Sequence, residues 1–271
     1  MVEKISPKEE KDPDIKLRYG SMESFVSPEG AYVTRLTVDN KDFLFPDGFY
    51  LISGKEKRRG GIFPLFPYAG PLEEHPDWPQ HGFARDMKWK EKTIYQDLEP
   101  SEVLLELKSD KETQKIFPYQ FRNELKIALG ENKLSCELTV FNEDNKDMPV
   151  ALGFHPYFPL PSQKLNDIKT NLDGLNLEKY QLGETLVLPI KPEVKINIPQ
   201  IGEIEMSLAG DFLKDKAQFW FWTDSPEYNY FCLEPCSVPV GGFLKEDERI
   251  LVSPGESKKF IMNFKFTSTF E

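Results

Sequence analysis

The sequence has little of what the commonest cofactor and metal sites require. Its 271 residues include only three cysteines and three histidines. The cysteines, Cys136, Cys232 and Cys236, are odd in number and fit no zinc-binding spacing, which predicts reduced, buried thiols in an intracellular protein. The GxGxxG, P-loop, GxSxG and HExxH motifs are all absent, which excludes the sites that these motifs normally mark.

Positive charge and long apolar runs are also missing. The formal net charge is −11 at pH 7, whereas a nucleic-acid-binding protein would normally carry a basic surface. No stretch approaches the roughly 18 apolar residues of a membrane helix, and the charged N-terminus lacks the apolar segment of a secretory signal. We therefore expect a cytoplasmic protein that binds neither nucleic acid nor membranes.

Helical periodicity is absent, whereas period-two patterns are frequent. Residues 124–129 and 134–140 alternate apolar and polar side chains on either side of a turn at 130–132, which predicts a β-hairpin. Short strands of this kind, separated by turn signals, predict an all-β sandwich or barrel. Residues 1–16 are predicted to be a flexible N-terminal arm, and residues 17–271 a single domain.

Residues 58–71 (RRGGIFPLFPYAGP) cannot form a helix, because glycines and prolines interrupt them throughout. Their apolar side chains predict a buried, irregular crossing of the backbone. The segment is either a structural loop or part of a site.

A candidate polar site lies in residues 78–89 (WPQHGFARDMKW), which hold His81 and Arg85 between two tryptophans. An arginine presents a planar fork that suits sugar hydroxyls, a carboxylate or a phosphate. Taken alone, a histidine such as His81 is more often a surface or hydrogen-bonded structural residue, and an arginine such as Arg85 is more often a surface cation. His75 lies nearby and has a less distinctive context.

Two further titratable residues lie in apolar surroundings. His155 is flanked by aromatic residues, and partial desolvation there would lower its pKa, although a hydrogen-bonded core histidine would have the same sequence context. Glu234 ends an apolar strand, where burial would raise its pKa towards the range of a general base, unless the side chain reaches solvent. The three histidines are not closely paired in sequence, which gives little indication of a metal site.

Four motifs, RGGIFPLFPYAG, HGFAR, LGFHPYF and CLEP, occur in this order over residues 59–235. Together they resemble the signatures of the aldose 1-epimerases, or mutarotases, and the HGFAR form resembles the branch that includes glucose-6-phosphate 1-epimerases. The resemblance implies an all-β fold, a large antiparallel β-sandwich whose concave face binds a hexose or hexose 6-phosphate. It implies an isomerase that interconverts α and β anomers by acid/base ring opening and reclosure, with no metal and no organic cofactor.

The resemblance also implies roles for individual residues. Glu234 matches the general base, His155 matches the general acid, and His81 matches a histidine that holds the sugar near its ring oxygen. Arg59 matches a substrate-binding arginine, although the adjacent Arg58 is an alternative.

Two further features of the family bear on substrate binding. Arg85 matches an arginine that lies near the phosphate in the sugar-phosphate branch. The family also has a substrate-binding aspartate between the second histidine and the base, and the sequence leaves five candidates for it: Asp167, Asp173, Asp211, Asp215 and Asp224.

Two other functions are compatible with the same fold. A non-catalytic carbohydrate-binding protein would keep the aromatic residues and the arginines without needing Glu234 or His155. A glycoside hydrolase or lyase would normally need two carboxylates, and only one acid has a distinctive context. The expected state of the protein is a monomer or weak homodimer.

Overall fold

The chain folds almost entirely into short strands, as its period-two patterns predict, and the computed structural model describes residues 4–5, 14–95, 100–211 and 216–268. The strands of the first half are β1 (Lys4–Ile5), β2 (Ile15–Tyr19), β3 (Met22–Ser27), β4 (Tyr32–Val38), β5 (Lys41–Asp42), β6 (Gly48–Ile52), β7 (Lys55–Arg59), β8 (Pro64–Leu65), β9 (Lys90–Tyr95), β10 (Ser101–Lys108), β11 (Phe121–Gly130) and β12 (Lys133–Asn142). Those of the second half are β13 (Met148–Val150), β14 (Gly153–Phe154), β15 (Tyr157–Pro159), β16 (Lys169–Thr170), β17 (Leu186–Pro189), β18 (Glu193–Ile198), β19 (Gly202–Gly210), β20 (Gln218–Trp222), β21 (Tyr230–Cys236), β22 (Ile250–Val252) and β23 (Ser257–Ser268).

Helical structure is confined to single turns within these described ranges. They comprise α1 (Thr113–Ile116) and 3-10 segments at Ala84–Asp86, Leu165–Asp167, Pro226–Tyr228 and Gly242–Leu244. None of them is long and apolar enough to cross a membrane.

Antiparallel pairing joins the named strands into two large sheets and three small ones. The largest has eight strands in the order β16-β18-β19-β23-β12-β11-β10-β9. The second has the order β17-β20-β21-β14-β8, and β15 also pairs with β21. The remaining strands form β2-β3-β4-β5, β1-β6-β7 and β13-β22. The prediction of an all-β, antiparallel fold is confirmed.

The predicted hairpin lies in the middle of the eight-stranded sheet. Its strands β11 and β12 alternate buried and partly exposed residues along most of their length. The register pairs Leu125 with Leu138 and Ile127 with Cys136, so apolar side chains face one another across the ladder. Each fully buried aliphatic side chain of this kind stabilises the fold by about 1.5–3 kcal/mol.

The second sheet has a different burial pattern. Every residue of β21 is buried, from Tyr230 to Cys236. The strand therefore has no solvent face, and its sequence (YFCLEPC) shows no alternation that would reveal its orientation. Glu234 lies inside this strand rather than at its end, because the ladder continues through Pro235 and Cys236.

Residues 58–71 cross the interior irregularly, as predicted. The segment leaves β7 at Arg59, contributes β8 and contains a cis peptide bond between Phe66 and Pro67. Residues 60–70 are all buried. Two backbone hydrogen bonds attach it to the chain around His155, from His155 N to Phe63 O (3.0 Å) and from Tyr157 N to Gly61 O (3.0 Å).

The predicted N-terminal arm is only partly described. Lys4–Ile5 pairs with β6, and strand β2 begins at Ile15. Residues 1–3 and 6–13 lie outside the described residues. The single domain over 17–271 stays a prediction.

Candidate active site

The register of the second sheet places His155 opposite Glu234. Strand β21 pairs Cys236 with Gly153 and Cys232 with Tyr157. In this antiparallel ladder the position midway between the two pairs sets residue 155 against residue 234. Directly opposed side chains on one face lie about 4.5–5.5 Å apart at Cβ, so the ladder itself brings together two residues that are remote in sequence.

Two aromatic rings pack against the His155 side chain. The Phe63 ring stacks on the imidazole at a centroid distance of 4.8 Å and an interplanar angle of 23°, and Tyr157 stacks on it at 4.7 Å and 14°. Along the other edge of β21, Trp220 of β20 is the ladder partner of Glu234. These contacts fix the imidazole plane and remove both residues from bulk water.

The His155–Glu234 pair is buried and only partly satisfied. His155 Nε2 lies 3.3 Å from Glu234 Oε1, and both side chains are about 95% buried. Within the described residues, His155 Nδ1 and Glu234 Oε2 have no hydrogen-bond partner. A buried polar atom without a partner is costly, and such atoms commonly mark a ligand site.

Burial dominates the protonation of the pair. Desolvation raises the pKa of Glu234 to about 8, although the positive charge of Arg85 acts in the opposite direction. Desolvation lowers the pKa of His155 well below its usual value, and neighbouring positive charges lower it further. Near neutral pH the titratable proton of the pair therefore lies on Glu234, and the imidazole is neutral.

His81 reaches the pair from a loop in an unusual conformation. Its φ is +67°, in the left-handed region that side chains other than glycine rarely adopt. The next residue must be glycine, because a Cβ on Gly82 would lie 2.0 Å from the carbonyl oxygen of Phe66. Strain of this kind costs on the order of 1–3 kcal/mol and is concentrated at functional sites.

Hydrogen bonds to the backbone orient the His81 ring. Gly70 N donates to His81 Nδ1 (3.0 Å), and His81 N donates to Gly70 O (2.9 Å). The ring therefore presents Nε2 as its free nitrogen, and it meets the His155 ring edge-on at a centroid distance of 5.1 Å. Burial lowers the pKa of His81 to about 3, with Arg85 and Arg59 contributing, so its ring is also neutral.

Arg59 enters the same region from the end of β7. Its Nε donates to Asp224 Oδ2 (2.8 Å) and to the Tyr230 hydroxyl (3.0 Å), and Tyr230 OH also donates to Asp224. Lys57 lies 3.4 Å from the other carboxylate oxygen of Asp224. Asp224 thus holds the Arg59 guanidinium beside the Trp222 ring, 5.3 Å from its centroid.

Arg58 is directed elsewhere, and Arg85 faces the site. Arg58 forms a two-pronged ion pair with Asp47, at 2.8 and 3.0 Å, and its guanidinium lies 3.5 Å from the centroid of the Tyr32 ring. Arg85 lies in the 3-10 turn after His81, and its guanidinium is 5.3 Å from the centroid of the Phe63 ring.

A cavity of about 320 Å³ opens over these groups, within the size range of small-molecule sites. It brings together all five predicted site residues. Among the described residues that line it, Glu234 is the one carboxylate. The lining residues are Arg59, Gly70, Pro71, Gln80, His81, Arg85, His155, Tyr157, Gly183, Thr185, Trp220, Trp222, Glu234 and Val240.

The fold also brings together a possible set of metal ligands that the sequence did not indicate. One ligand atom each from His81, His155 and Glu234 lie within 4.8 Å of one another. His75 is apart from them and stacks on Trp78 at 4.2 Å. Sequence spacing was a poor guide to this cluster because the three residues come from different strands and loops.

The residues that support the site were not indicated by the sequence. Asp224 was one of five candidates with no distinguishing context, and nothing local connected it or Tyr230 to Arg59. Asp173 pairs with Lys191 on the surface, and Asp211 pairs with Lys258, whereas Asp215 lies outside the described residues. Trp220 and Trp222 alternate along β20, which could have indicated that they share a face.

Comparison with known proteins assigns the chain to a family. The sequence model of the aldose 1-epimerase family matches residues 13–190. The chain belongs to the aldose 1-epimerase family.

Individual relatives of this aldose 1-epimerase family member are distant. An Escherichia coli K12 protein named "Putative glucose-6-phosphate 1-epimerase" is 27% identical over 133 residues, covering 43% of each chain. A Cenchrus ciliaris protein of the same name is 30% identical over 141 residues, covering 48% of this chain and 41% of the relative. Both alignments span less than half the length of these relatives.

Solved structures match the epimerase fold over nearly the whole chain. A Synechocystis sp. PCC 6803 protein has a TM-score of 0.83 at 24% identity, covering 98% of this chain and 99% of its own. Galactose 1-epimerase from Lactobacillus acidophilus NCFM has a TM-score of 0.68 at 15% identity, covering 100% and 99%. At these identities the likeness shows the fold, a galactose mutarotase-like β-sandwich, as predicted.

Proposed function

We propose that the protein is an aldose 1-epimerase that interconverts the α and β anomers of a hexose. The observation that carries the proposal is the buried His155–Glu234 pair, 3.3 Å apart, in the wall of the cavity. Anomer exchange requires one proton to leave the hydroxyl on C1 and one to reach the ring oxygen. These two oxygens share a carbon, so an acid and a base side by side fit the task.

In this proposal Glu234 takes the proton from the hydroxyl on C1, and His155 gives a proton to the ring oxygen. The bond between C1 and the ring oxygen breaks, and the open-chain aldehyde forms. Rotation about C1–C2 turns the carbonyl, and reclosure reverses both proton transfers on the opposite face. His81 donates from Nε2 to hold the sugar near its ring oxygen. The pair carries one proton before and after the cycle.

The mechanism needs a charged pair, so the proton that Glu234 carries before sugar binds must move to His155 when the sugar binds. Burial favours the neutral pair, so the charged pair needs added stabilisation. A sugar hydroxyl that donates to Glu234 favours its carboxylate, and the positive charge of Arg85 acts in the same sense. The short separation of the two side chains allows the transfer without a large movement.

Two observations disfavour the alternatives. Hydrolysis by the usual pair of carboxylates would need a second acid, and Glu234 is the one carboxylate among the described residues of the cavity wall. A purely sugar-binding protein would gain nothing from a buried carboxyl with a raised pKa next to an imidazole.

Anomer exchange measured by NMR tests the proposal. Free and 6-phosphorylated glucose, galactose and mannose are each followed with and without enzyme, after subtraction of the spontaneous rate. We expect accelerated exchange for at least one sugar. Unchanged exchange for the whole panel, with released reducing ends from a disaccharide, would favour a hydrolase and contradict the epimerase.

We further propose that the preferred substrate carries a 6-phosphate. Two arginines, Arg59 and Arg85, line a cavity in a strongly acidic chain, and arginine forks suit phosphate oxygens. The names of the two relatives above point to the same substrate class.

The phosphate proposal is tested with Arg85→Ala. We expect the KM for glucose 6-phosphate to rise at least tenfold while that for glucose changes little, because only the phosphorylated sugar loses a charge-assisted contact. Arg35→Ala is the matched control, since Arg35 pairs with Asp42 away from the cavity. Equal effects of Arg85→Ala on both sugars would rule out a phosphate contact.

A further inference from the structure

The cavity wall contains a buried tyrosine that the proposed proton transfers leave unused. Tyr157 lines the cavity, and its side chain is buried. The hydroxyls of three other buried tyrosines, Tyr50, Tyr68 and Tyr230, all donate to oxygen atoms of the protein. Among the residues that the structure describes, the Tyr157 hydroxyl has no such partner. A buried polar group without a partner is costly in the free protein and commonly marks a ligand site.

Tyr157 lies between the proposed acid and the proposed substrate-binding arginine. Its ring stacks on the His155 imidazole at a centroid distance of 4.7 Å. It also contacts the Tyr230 ring, with centroids 5.2 Å apart, and the Tyr230 hydroxyl accepts a hydrogen bond from Arg59 Nε (3.0 Å). The charge of Arg59 in turn acts on the Tyr157 hydroxyl. A substrate that touches both His155 and Arg59 therefore passes Tyr157.

The Tyr157 hydroxyl stays protonated, so it can donate a hydrogen bond as well as accept one. Desolvation raises the pKa of Tyr157 well above its usual value, and the positive charge of Arg59 only partly offsets this effect. A neutral hydroxyl suits an uncharged sugar oxygen, whereas the charge that a phosphate needs comes from arginine. The chemistry of Tyr157 thus fits a sugar oxygen close to the phosphate end of the substrate.

The covalent structure of a hexose indicates which oxygen this is. In the pyranose form the ring oxygen is bonded to C5, and C5 carries C6 with its oxygen O6. When the ring oxygen lies at His155 and a 6-phosphate lies at Arg59, the C6–O6 group is the part of the sugar that joins them. The hydroxyls on C2, C3 and C4 are attached to other ring atoms and lie outside this path.

We propose that the Tyr157 hydroxyl binds O6 of the substrate and makes the protein selective for hexoses over pentoses and 6-deoxyhexoses. In a free hexose the partner is the hydroxyl on C6, and in a hexose 6-phosphate it is the ester oxygen. Pentopyranoses lack C6 and 6-deoxyhexoses lack O6, so both leave the buried hydroxyl of Tyr157 unpaired. The inference rests on the proposed epimerase function, because that function sets the orientation of the sugar.

Tyr157→Phe tests the contact, because it removes the hydroxyl and keeps the ring that stacks on His155. Catalysed anomer exchange is measured by NMR for glucose, glucose 6-phosphate, 6-deoxyglucose and xylose. We expect the wild type to prefer glucose over 6-deoxyglucose by at least about tenfold in kcat/KM, since a site that pairs with a hydroxyl discriminates against analogues that lack it. The variant should lose about tenfold on glucose and glucose 6-phosphate, and less than about twofold on 6-deoxyglucose and xylose.

The loss should appear in KM rather than in kcat. O6 is not a reacting atom, so its contact stabilises the bound sugar and the transition state alike, and kcat should stay within about threefold. Loss of mechanical support for the His155 ring would instead lower kcat for all four sugars. A uniform fall in kcat of that kind would contradict the O6 contact.

Tyr50→Phe is the matched control for the loss of a buried hydroxyl. Tyr50 OH donates to Pro46 O (2.7 Å), and Tyr50 is not among the described residues that line the cavity. We expect this variant to have a lower urea midpoint than the wild type, through the lost hydrogen bond, and an unchanged preference among the four sugars. Tyr157→Phe should show the reverse, a changed preference with no decrease in the urea midpoint, because its hydroxyl has no partner in the free protein.

The possible failures of this inference and of the proposed function are distinct. Equal losses on glucose and 6-deoxyglucose, or a loss confined to glucose 6-phosphate, would overturn the O6 contact and leave the epimerase function standing. A urea midpoint lowered as much in Tyr157→Phe as in Tyr50→Phe would show that the hydroxyl is already paired in the free protein, which would also overturn the contact. Absence of catalysed exchange for every sugar in the wild type would instead refute the epimerase function, and the inference would fall with it.

Discussion

Strands β11 and β12 of the eight-stranded sheet alternate buried and partly exposed residues, whereas every residue of β21 in the second sheet is buried. The regular sheet gains its stability from paired aliphatic side chains such as Leu125 and Leu138. The buried strand instead carries a carboxyl group with a raised pKa. One region stabilises the fold, and the other uses that stability to hold groups that would otherwise ionise or move into water.

Unsatisfied buried polar groups occur in both regions, and their chemistry differs. In the regular sheet the side-chain amide of Asn123 has no partner among the residues that the structure describes, and this neutral group does not titrate. In the second sheet the corresponding atoms belong to His155 and Glu234, which are titratable and adjacent. Of the two sheets, the second is therefore the one whose unsatisfied buried side chains, within the described residues, can exchange protons.

Removing the functional group of His155 or Glu234 should have the largest effect on the rate of anomer exchange. We expect Glu234→Gln and His155→Asn each to reduce catalysed anomer exchange by about 10²- to 10⁴-fold, because each removes an acid or base from the reaction. NMR exchange measurements on freshly dissolved anomers check this. Glu106→Gln is the control, since Glu106 is a buried glutamate of the regular sheet that pairs with Lys92. Activity near the wild-type level in Glu234→Gln would contradict the assignment of catalysis to the second sheet.

A cavity made in the eight-stranded sheet should lower the stability of the protein and leave its activity nearly unchanged. We expect Leu138→Ala to lower the free energy of unfolding by about 2–5 kcal/mol, through lost burial and an incompletely refilled space. The catalytic rate per folded molecule should stay within twofold, because Leu138 lies in the other sheet. Urea denaturation and NMR exchange on the same preparation separate the two effects. A large rate loss with little change in stability would reverse the assignment of the two regions.

The difference in unfolding free energy between Glu234→Gln and the wild type should change sign between low and high pH. The pKa of Glu234 rises from 4.5 unfolded to about 8 folded, so wild-type stability falls as pH rises from 4.5 to 8, by up to roughly 4–5 kcal/mol. Glutamine lacks this loss, but its poorly paired amide costs about 1–3 kcal/mol at every pH. The variant should be less stable than wild type at pH 4 and more stable, by about 2 kcal/mol, at pH 8.

Urea denaturation at the two pH values measures this crossover. A constant difference in unfolding free energy between Glu234→Gln and wild type across this pH range would show that the pKa of Glu234 is not raised on folding, which would contradict a neutral, buried carboxyl.

The smallest expected effect concerns the support of Arg59. Asp224→Asn weakens the contact that holds the guanidinium in the cavity, so we expect about a tenfold rise in KM with kcat within threefold. Asp47→Asn is the matched variant, because Asp47 holds the neighbouring Arg58 in the same way. A larger KM effect in Asp47→Asn would identify Arg58 as the binding arginine.

Much of the fold could be predicted from sequence because its signals are local. The alternation in β11 and β12 and the turn between them predicted a hairpin that the structure confirms. The ordered motifs likewise predicted the family that the comparisons show. The hairpin signal and each single motif lie within a short stretch of chain, although the four motifs together extend over residues 59–235.

The geometry of the site could not be predicted because it depends on register. Nothing near Glu234 indicates that residue 155 lies opposite it, since β21 has no alternation and its partners are short. The left-handed conformation of His81 is likewise imposed by contact with residues 66–70. The pairing of Asp224, in the loop after β20, with Arg59, at the end of β7, joins residues that are 165 positions apart in sequence.

A double-mutant cycle on His155→Asn and Glu234→Gln, read as catalysed anomer exchange by NMR, most directly tests whether the two residues act as one unit. If they share a single proton, the double variant should lose little more than the more damaging single change, within about threefold. Losses that multiply, so that the double variant shows the product of the two single effects, would mean that the residues act independently and would contradict the proposed pair.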